Sequence, residues 1–307
     1  MTGDKHTINP SATPSLYLIM GLPIIFWALA FPFIKIGLAE LSPINLTIIR
    51  LCIACIVFLA LRFILSKKFS KLQRKDIIPL FIVGFFGVIV YHLGLNYGEQ
   101  YISASAASLI IATIPIFVVI LAIPYLKEKI TLPTLLGITL SLSGVILISL
   151  FGTPDSSIEI VYISGAIAVL IAALMGAAYT IAGKKMLKRY SALSLTTYAF
   201  LFGSLGLLPF ITVSFFEEVS AMSLQAWGAI LFLGVFSSVI AYVLWYVALS
   251  IKNASEISVF LYCIPVISTT VSTLFFDEQI TWLFLIGGIL VIIGLYIVNK
   301  NKASQKQ

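Results

Sequence analysis

Apolar runs long enough to cross a bilayer follow one another along almost the whole chain, and no other feature constrains the fold as much. A spanning helix needs about 20 mostly apolar residues. Ten segments meet that requirement, at 16–38, 43–65, 77–98, 102–125, 131–150, 160–182, 192–214, 224–248, 254–275 and 281–299. Short connections of Ser, Pro, Asn and charged residues separate them. The faintest break is at 98–102, where Glu99 and Gln100 are nearly the only polar residues. Inside lipid a segment must satisfy its own backbone hydrogen bonds, which leaves helices as the solution. Composition agrees. Only 10% of the 307 residues are charged and 60% are hydrophobic, with mean hydropathy +1.11. A soluble domain carries about 25% charged residues.

Charge tests the helix count independently. With ten helices and the N-terminus inside, the inner loops hold Lys67, Lys68, Lys71, Arg74, Lys75, Lys127, Lys129, Lys184, Lys185, Lys188, Arg189 and Lys252. Lys5, Lys300, Lys302 and Lys306 at the termini bring that side to 16 of the 19 Lys and Arg. Lys35, Arg50 and Arg62 lie in helices, and the outer loops carry only acids: Glu40, Glu99, Asp155, Glu159, Glu217, Glu218, Asp277 and Glu278. One miscounted helix would scramble this segregation. The positive-inside rule thus predicts both termini in the cytoplasm. The same pattern explains the net charge of +7 without a nucleic-acid partner, because the basic residues do not form one face.

The chain also repeats itself. A shift of 150 residues aligns Ala104-Ser105 with Ala254-Ser255, Ser108 with Ser258, Ile114-Pro115 with Ile264-Pro265, and Glu128 with Glu278. Ile130-Thr131, Gly137 and Gly144 likewise fall on Ile280-Thr281, Gly287 and Gly294. Pro, Glu and Gly matches without a gap are informative where Leu and Ile matches are not. An odd number of helices per repeat inverts the second copy. The expectation is an all-α integral membrane protein of ten transmembrane helices in two inverted five-helix repeats, 1–152 and 153–307. Inverted repeats around a midplane site are how many secondary transporters are built.

With Trp27 to Lys35 (WALAFPFIK), Pro43 and Arg50, then in each half a central Pro, Glu-x-Ile-Thr and paired Gly, the chain resembles the drug/metabolite transporter superfamily in its ten-helix EamA-type branch. The resemblance covers nearly the whole chain. It implies export of amino acids, related metabolites or drugs through a cavity between the halves, with no cofactor. The second half departs from the first at Gly176, where Trp27 would repeat, and at Ala199, where Arg50 would.

Enzyme signatures are missing from the sequence. Gly183-Lys184-Lys185 lacks the rest of a phosphate-binding loop, and with His6 and His92 as the two histidines no H-E-x-x-H exists. The alternatives are a membrane-embedded enzyme, a receptor scaffold, a channel, or a carrier working in uptake. Cys52, Cys55 and Cys263 read as packing residues and not as a metal or redox set. The polar stretch Met1 to Ser15 does not read as a cleaved signal peptide.

His92, Asn96 and Glu99 share a helix face at i, i+4 and i+7. The stripe is either a substrate-contacting, proton-accepting wall or a set of interhelical hydrogen bonds with ordinary interfacial solvation for Glu99. Arg50 lies seven residues past Pro43, roughly 10 Å deep at 1.5 Å per residue. It either grips a substrate carboxylate or serves structure, reaching headgroups or capping a neighbouring helix. Lys35 reads as a snorkelling residue. Trp27, Phe31, Tyr91, Tyr179, Tyr242, Trp245 and Tyr262 complete the expected cavity lining with His92 and Asn96, since aromatic rings suit amphiphilic metabolites. The 150-residue shift sets His92 against Tyr242, so Tyr91–His92 are expected toward the outside and Tyr242–Trp245 toward the inside, as two gates. Ser108, Pro115, Ser258 and Pro265 mark hinge or close-packing positions in the fourth and ninth segments. Gly137–Gly144 and Gly287–Gly294 read as packing glycines, with a homodimer contact as one use. The expected partners are the bilayer and a small-molecule substrate.

Overall fold

A computed structural model of the protein describes residues 16–126, 132–151, 160–252 and 254–304. Lys5, Lys127, Glu128, Lys129, Thr131, Asp155, Glu159 and Lys306 lie outside them. The described residues form helices and connecting turns, with no strand. We number the helices α1 (Leu16–Leu38), α2 (Pro43–Ile64), α3 (Arg74–Tyr101), α4 (104–126), α5 (Leu132–Phe151) and α6 (Ile160–Met186). Then follow α7 (Ala192–Phe210), α8 (Val213–Ala221), α9 (Leu224–Ile251), α10 (254–275) and α11 (Trp282–Ser304). Among the described residues, α1, α2, α3, α4, α6, α7 and α9 are the seven long and apolar enough to cross a membrane. Shorter apolar stretches, Leu135–Ile148, Phe260–Phe275 and Trp282–Gly294, lie in α5, α10 and α11. Large apolar side chains such as Phe63, Ile160, Leu224 and Trp282 are exposed on the outside of the bundle. Lipid is the solvent that tolerates such a surface.

Serine starts several of these helices. Ser42, Ser103, Ser191 and Ser223 stand in extended backbone at N-caps, each accepting from the N–H three residues on. Ser103 therefore makes the break at 98–102, and Glu99 belongs to the buried interior of α3. The segment expected at 192–214 ends at Phe210, and α8 forms a separate short helix. Phe215 of α8 is buried, and Glu218 accepts from the Ser42 N–H (2.9 Å) and hydroxyl (3.1 Å).

Irregular backbone recurs at matching positions. The α3 helix widens to a π-helix over Phe85–Val90, and α9 does so over Leu233–Ile240. The fourth helix is interrupted at Ala112–Thr113 and the tenth tightens to a 3₁₀ turn over Val259–Tyr262, each just before a proline, Pro115 and Pro265. Lysine caps close both wide helices. Lys35 donates to the Glu99 carbonyl at the end of α3, and Lys184 to the Leu249 and Lys252 carbonyls at the end of α9. A cation belongs at a helix C-terminus, where unpaired carbonyls point outward. Lys35 is a helix cap, which corrects the snorkelling expected of it.

Helices α5 and α11 lie backbone to backbone. A Cβ on Gly144 would sit 2.5 Å from the Gly287 carbonyl oxygen, and one on Gly294 would sit 2.4 Å from that of Gly137. Between these crossings Ser141 donates to the Val291 carbonyl at 3.0 Å. These glycines are used inside one chain, so they do not supply the homodimer contact considered for them. The cysteines also differ from expectation, since Cys52 and Cys263 are exposed on helix flanks and not buried.

Candidate functional site

The π-helical turn of α9 organises the centre of the bundle. It presents Ser237 and Ser238 side by side, and Arg50 of α2 reaches both. Its Nε donates to Ser238 Oγ at 2.9 Å and its Nη2 to Ser237 Oγ at 3.0 Å. Trp27 of α1 adds a third contact, donating from Nε1 to the Ser237 carbonyl at 3.1 Å. π-Turns in helices often mark functional sites because they redirect side chains and carbonyls. Arg50 is 2% exposed, so it does not reach the headgroups. Its Nη1 has no hydrogen-bond partner among the described residues.

Around Arg50 lies a narrow central cavity of about 50 Å³, lined among others by Trp27, Phe31, Tyr91, Tyr179, Tyr242 and Trp245. The rings are mutually oriented. Trp27 meets Tyr242 and Trp245 edge-on at 5.5 and 5.3 Å, and Tyr242 meets Tyr179 at 5.6 Å. Tyr179 and Tyr246 stack at 4.9 Å, with the Tyr246 hydroxyl donating to the Tyr179 carbonyl at 3.0 Å. Gly183 makes this fit, since a Cβ there would lie 2.0 Å from the Tyr246 hydroxyl. Small-molecule pockets measure about 300–1,000 Å³. The free space in this conformation is therefore far smaller than a substrate pocket.

Three of the residues expected on the lining stand behind it. His92 is fully buried, its Nδ1–H donating to the Val88 carbonyl at 2.6 Å, and its Nε2 is unpartnered. The wide turn just before it leaves that carbonyl within reach of the ring. Asn96 is turned toward α2, donating from Nδ2 to Thr47 Oγ1 at 2.8 Å. Tyr262 ends the 3₁₀ turn of α10, and Leu261 and Ile264 line the cavity instead. The two-gate arrangement is also corrected. His92 and Tyr242 are not at opposite ends, because their rings lie 5.9 Å apart in the middle of the bundle.

The remaining expected residues flank this centre. Ser108, Pro115, Ser258 and Pro265 are all buried in α4 and α10. Ser108 donates to the Ser105 carbonyl at 2.8 Å, an intrahelical bond that leaves its small side chain at the packed surface. Glu99 is 0% exposed with neither carboxyl oxygen partnered, in place of the interfacial solvation considered for it. Beyond it opens a vestibule of about 590 Å³, lined among others by Lys35, Tyr101, Tyr162, Ser272, Asp277 and Glu278.

Sequence reasoning missed Ser237, Gly87, Gly176 and Thr180, which also line the cavity. One signal was available. Gly176 stands where Trp27 would repeat, and a Cβ there would crowd the Tyr91 ring at 3.3 Å. Ile114, at 3.1 Å, and Tyr91 together occupy that space and leave no room for a large side chain.

At the far end from the vestibule, Asp76 pairs with Arg189 at 2.8 Å and accepts from the Tyr190 hydroxyl at 2.8 Å. Burial raises the Tyr190 phenol above its ordinary range. At the vestibule end, the Ser223 hydroxyl (2.6 Å) and amide (2.7 Å) donate to Glu40 and hold its carboxyl below the usual range.

Comparison with known proteins agrees with this architecture. A solved structure titled "Crystal structure of protein" superposes with a TM-score of 0.67 over 95% of this chain and 99% of that one, at 18% identity, a likeness of fold. An "Uncharacterized transporter" of Archaeoglobus fulgidus is 37% identical over 93% of this chain and 99% of its own length. A "Probable terminal-alkyne amino-acid exporter" of Streptantibioticus cattleyicolor is 29% identical, covering 93% and 94% of the two chains. These relatives are named as transporters, not enzymes. The EamA-like transporter family matches twice, at residues 15–150 and 163–300. This chain is a multi-pass membrane transporter and belongs to the EamA-like transporter family.

Proposed function

We propose that the protein exports small amphiphilic metabolites bearing a carboxylate, amino acids foremost, across the cytoplasmic membrane by alternating access. The observation that carries this is Arg50. A buried charge is costly unless it is paired and fully hydrogen-bonded. Arg50 has two neutral serine hydroxyls, an unpartnered Nη1 and a position on the cavity wall. A carboxylate supplies the missing charge and accepts from a guanidinium in a geometry that guanidinium favours. The surrounding rings suit the apolar remainder of such a molecule. The relative named as a probable amino-acid exporter supports the substrate class and the direction.

The same reading takes the chain as ten spans in two inverted repeats, 1–152 and 153–307, with both termini cytoplasmic. The charge segregation and the paired irregularities of α3 with α9 and α4 with α10 support it. On this orientation the vestibule is the outer one. A reporter fused at position 155 is expected outside and one at the C-terminus inside; both on one side would sink the topology.

The functional test is transport in liposomes holding the purified protein. Preloaded with a mixture of the twenty proteinogenic L-amino acids, they should exchange labelled amino acids, and Arg50→Ala should abolish exchange. Exchange undiminished in Arg50→Ala would overturn the proposed role of Arg50. Uptake without efflux in cells would reverse the direction.

A further inference from the structure

The most demanding position outside the central cavity is the carboxyl group of Glu99. It is fully buried, and among the described residues no donor reaches either oxygen. Helix α3 packs here against α1, α2, α4 and α6, so its surroundings can be taken element by element. From α1 comes Lys35, whose Nζ donates to the backbone carbonyl of Glu99 and not to its carboxyl. From α2 come Thr47, held by Asn96, and Arg50, held by two serines. From α4 comes Ser105, whose N–H faces the Glu278 carboxylate at 3.3 and 3.4 Å. Gly165 and Val169 of α6 pack on Gly98, with Tyr162 at the vestibule wall. Asp277 and Glu278 come from the connection after α10, and His92, Asn96 and Tyr101 from α3 itself.

Glu99 also stands between two compartments. Helix α1 gives Trp27, Ala30 and Phe31 to the central cavity, then Pro32 and Lys35 to the vestibule. Helix α3 gives Leu95 to the cavity and Tyr101 to the vestibule, with Glu99 between them. An ionised carboxylate there, without one hydrogen bond, is an arrangement that protein interiors do not sustain. The neutral acid removes the charge.

We propose that Glu99 is a proton-binding site: it takes a proton as the vestibule closes over it, releases it when water enters, and so links proton movement to transport. The step is acid–base only, a carboxylate and a proton from vestibule water giving the carboxylic acid. In the wetted state Lys35, already bound to the same residue, is the cation at hand for the carboxylate. The matching position in the second half is Leu249, which cannot titrate, so the device exists on one side only. This inference rests on the carrier reading above for its link to transport, but not for the proton site itself.

Infrared spectroscopy of the purified protein in lipid tests the site without a substrate. A protonated-carboxyl C=O band is expected at neutral pH and should vanish in Glu99→Gln, with Glu99→Leu as a second variant should the first fold poorly. A wild-type spectrum without the band, or a band that survives both variants, overturns the proposal. Liposomes enclosing a pH-sensitive dye then test the link, with the same amino-acid mixture as probe. Wild type should move protons with amino acids, and Glu99→Gln should show at least tenfold fewer protons per amino acid. Amino-acid movement in wild type without protons overturns the link and leaves the carrier reading intact. A Glu99-dependent band with no amino-acid movement supports the proton site and instead sinks the proposed substrate class.

Discussion

Helices α3 and α9 share a design and differ in what they bury. Each has a π-helical turn, each ends under a lysine, and their residues correspond at a shift of 150: His92 with Tyr242, Asn96 with Tyr246, Glu99 with Leu249. In α9 these positions are two rings and an aliphatic chain, with Tyr246 stacked on Tyr179 and Tyr242 edge-on to it. In α3 they are polar, and His92 Nε2, Asn96 Oδ1 and both Glu99 oxygens are unpartnered. Unsatisfied buried polar atoms favour opening to water, whereas packed rings resist it. The backbone symmetry thus gives two matching helices, and the side chains set them apart: α9 is packed with rings, whereas α3 keeps buried polar atoms that water would satisfy.

The largest effect is expected where the halves differ most, at Arg50 opposite Ala199. Arg50→Ala removes a buried charge-assisted contact of about 2–5 kcal/mol, roughly a 30-fold to several-thousand-fold loss in transport. Arg50→Lys should recover only part, because a lysine cannot span both serines. Full activity in the alanine variant would remove the guanidinium from the substrate site.

Exchanging the two termini sharpens the comparison. Glu99→Leu should raise the melting temperature, since replacing an unsatisfied buried carboxyl by an apolar side chain gains about 1–3 kcal/mol. Leu249→Glu, at a fully buried site packed for an aliphatic chain, should lower it by clearly more than Glu99→Leu raises it. Equal and opposite shifts would show that the two environments are energetically alike, and would break the asymmetry argued here.

Ser108 and Ser258 are both buried in helices interrupted before a proline. Enlarging either to Leu should cost about 1–3 kcal/mol through overpacking and arrest flux while inserted, folded protein remains. Normal flux in both variants would make these stripes static packing.

Smaller still is Tyr246→Phe, which loses the bond to the Tyr179 carbonyl. A destabilisation of about 1 kcal/mol is expected by thermal unfolding in lipid. The smallest effect concerns Glu40 and the Ser223 N-cap of α9. Its carboxyl is held low in the folded protein, so this anchor is complete above about pH 4–5 and is lost as pH falls through the folded value. Glu40→Gln should flatten that slight acid dependence of stability, and an unchanged profile would show the contact to be inert.

Much of this was legible in the residues. Long apolar runs dictated helices because lipid offers the backbone no other partner. Six of the expected ring positions, Trp27, Phe31, Tyr91, Tyr179, Tyr242 and Trp245, do converge on one cavity, since a large polar-tipped ring in midspan has little reason to face hydrocarbon. Arg50 was conspicuous for the same reason.

What local pattern could not reveal was which face of each helix turns inward. Lipid and protein interior are equally apolar, so no amphipathic stripe separates them as it does in water. Hence His92 and Asn96 fell behind the lining, His92 met Tyr242 where two separate gates were expected, and the paired glycines of α5 and α11 closed on each other. The π-turns decided the rest. The wider turn re-aims the side chains within it, setting Ser237 and Ser238 under Arg50, and turns the helix that follows it, where Glu99 lies buried between two compartments. That rotation is set by contacts across the bundle, and no spacing within a single helix announces it.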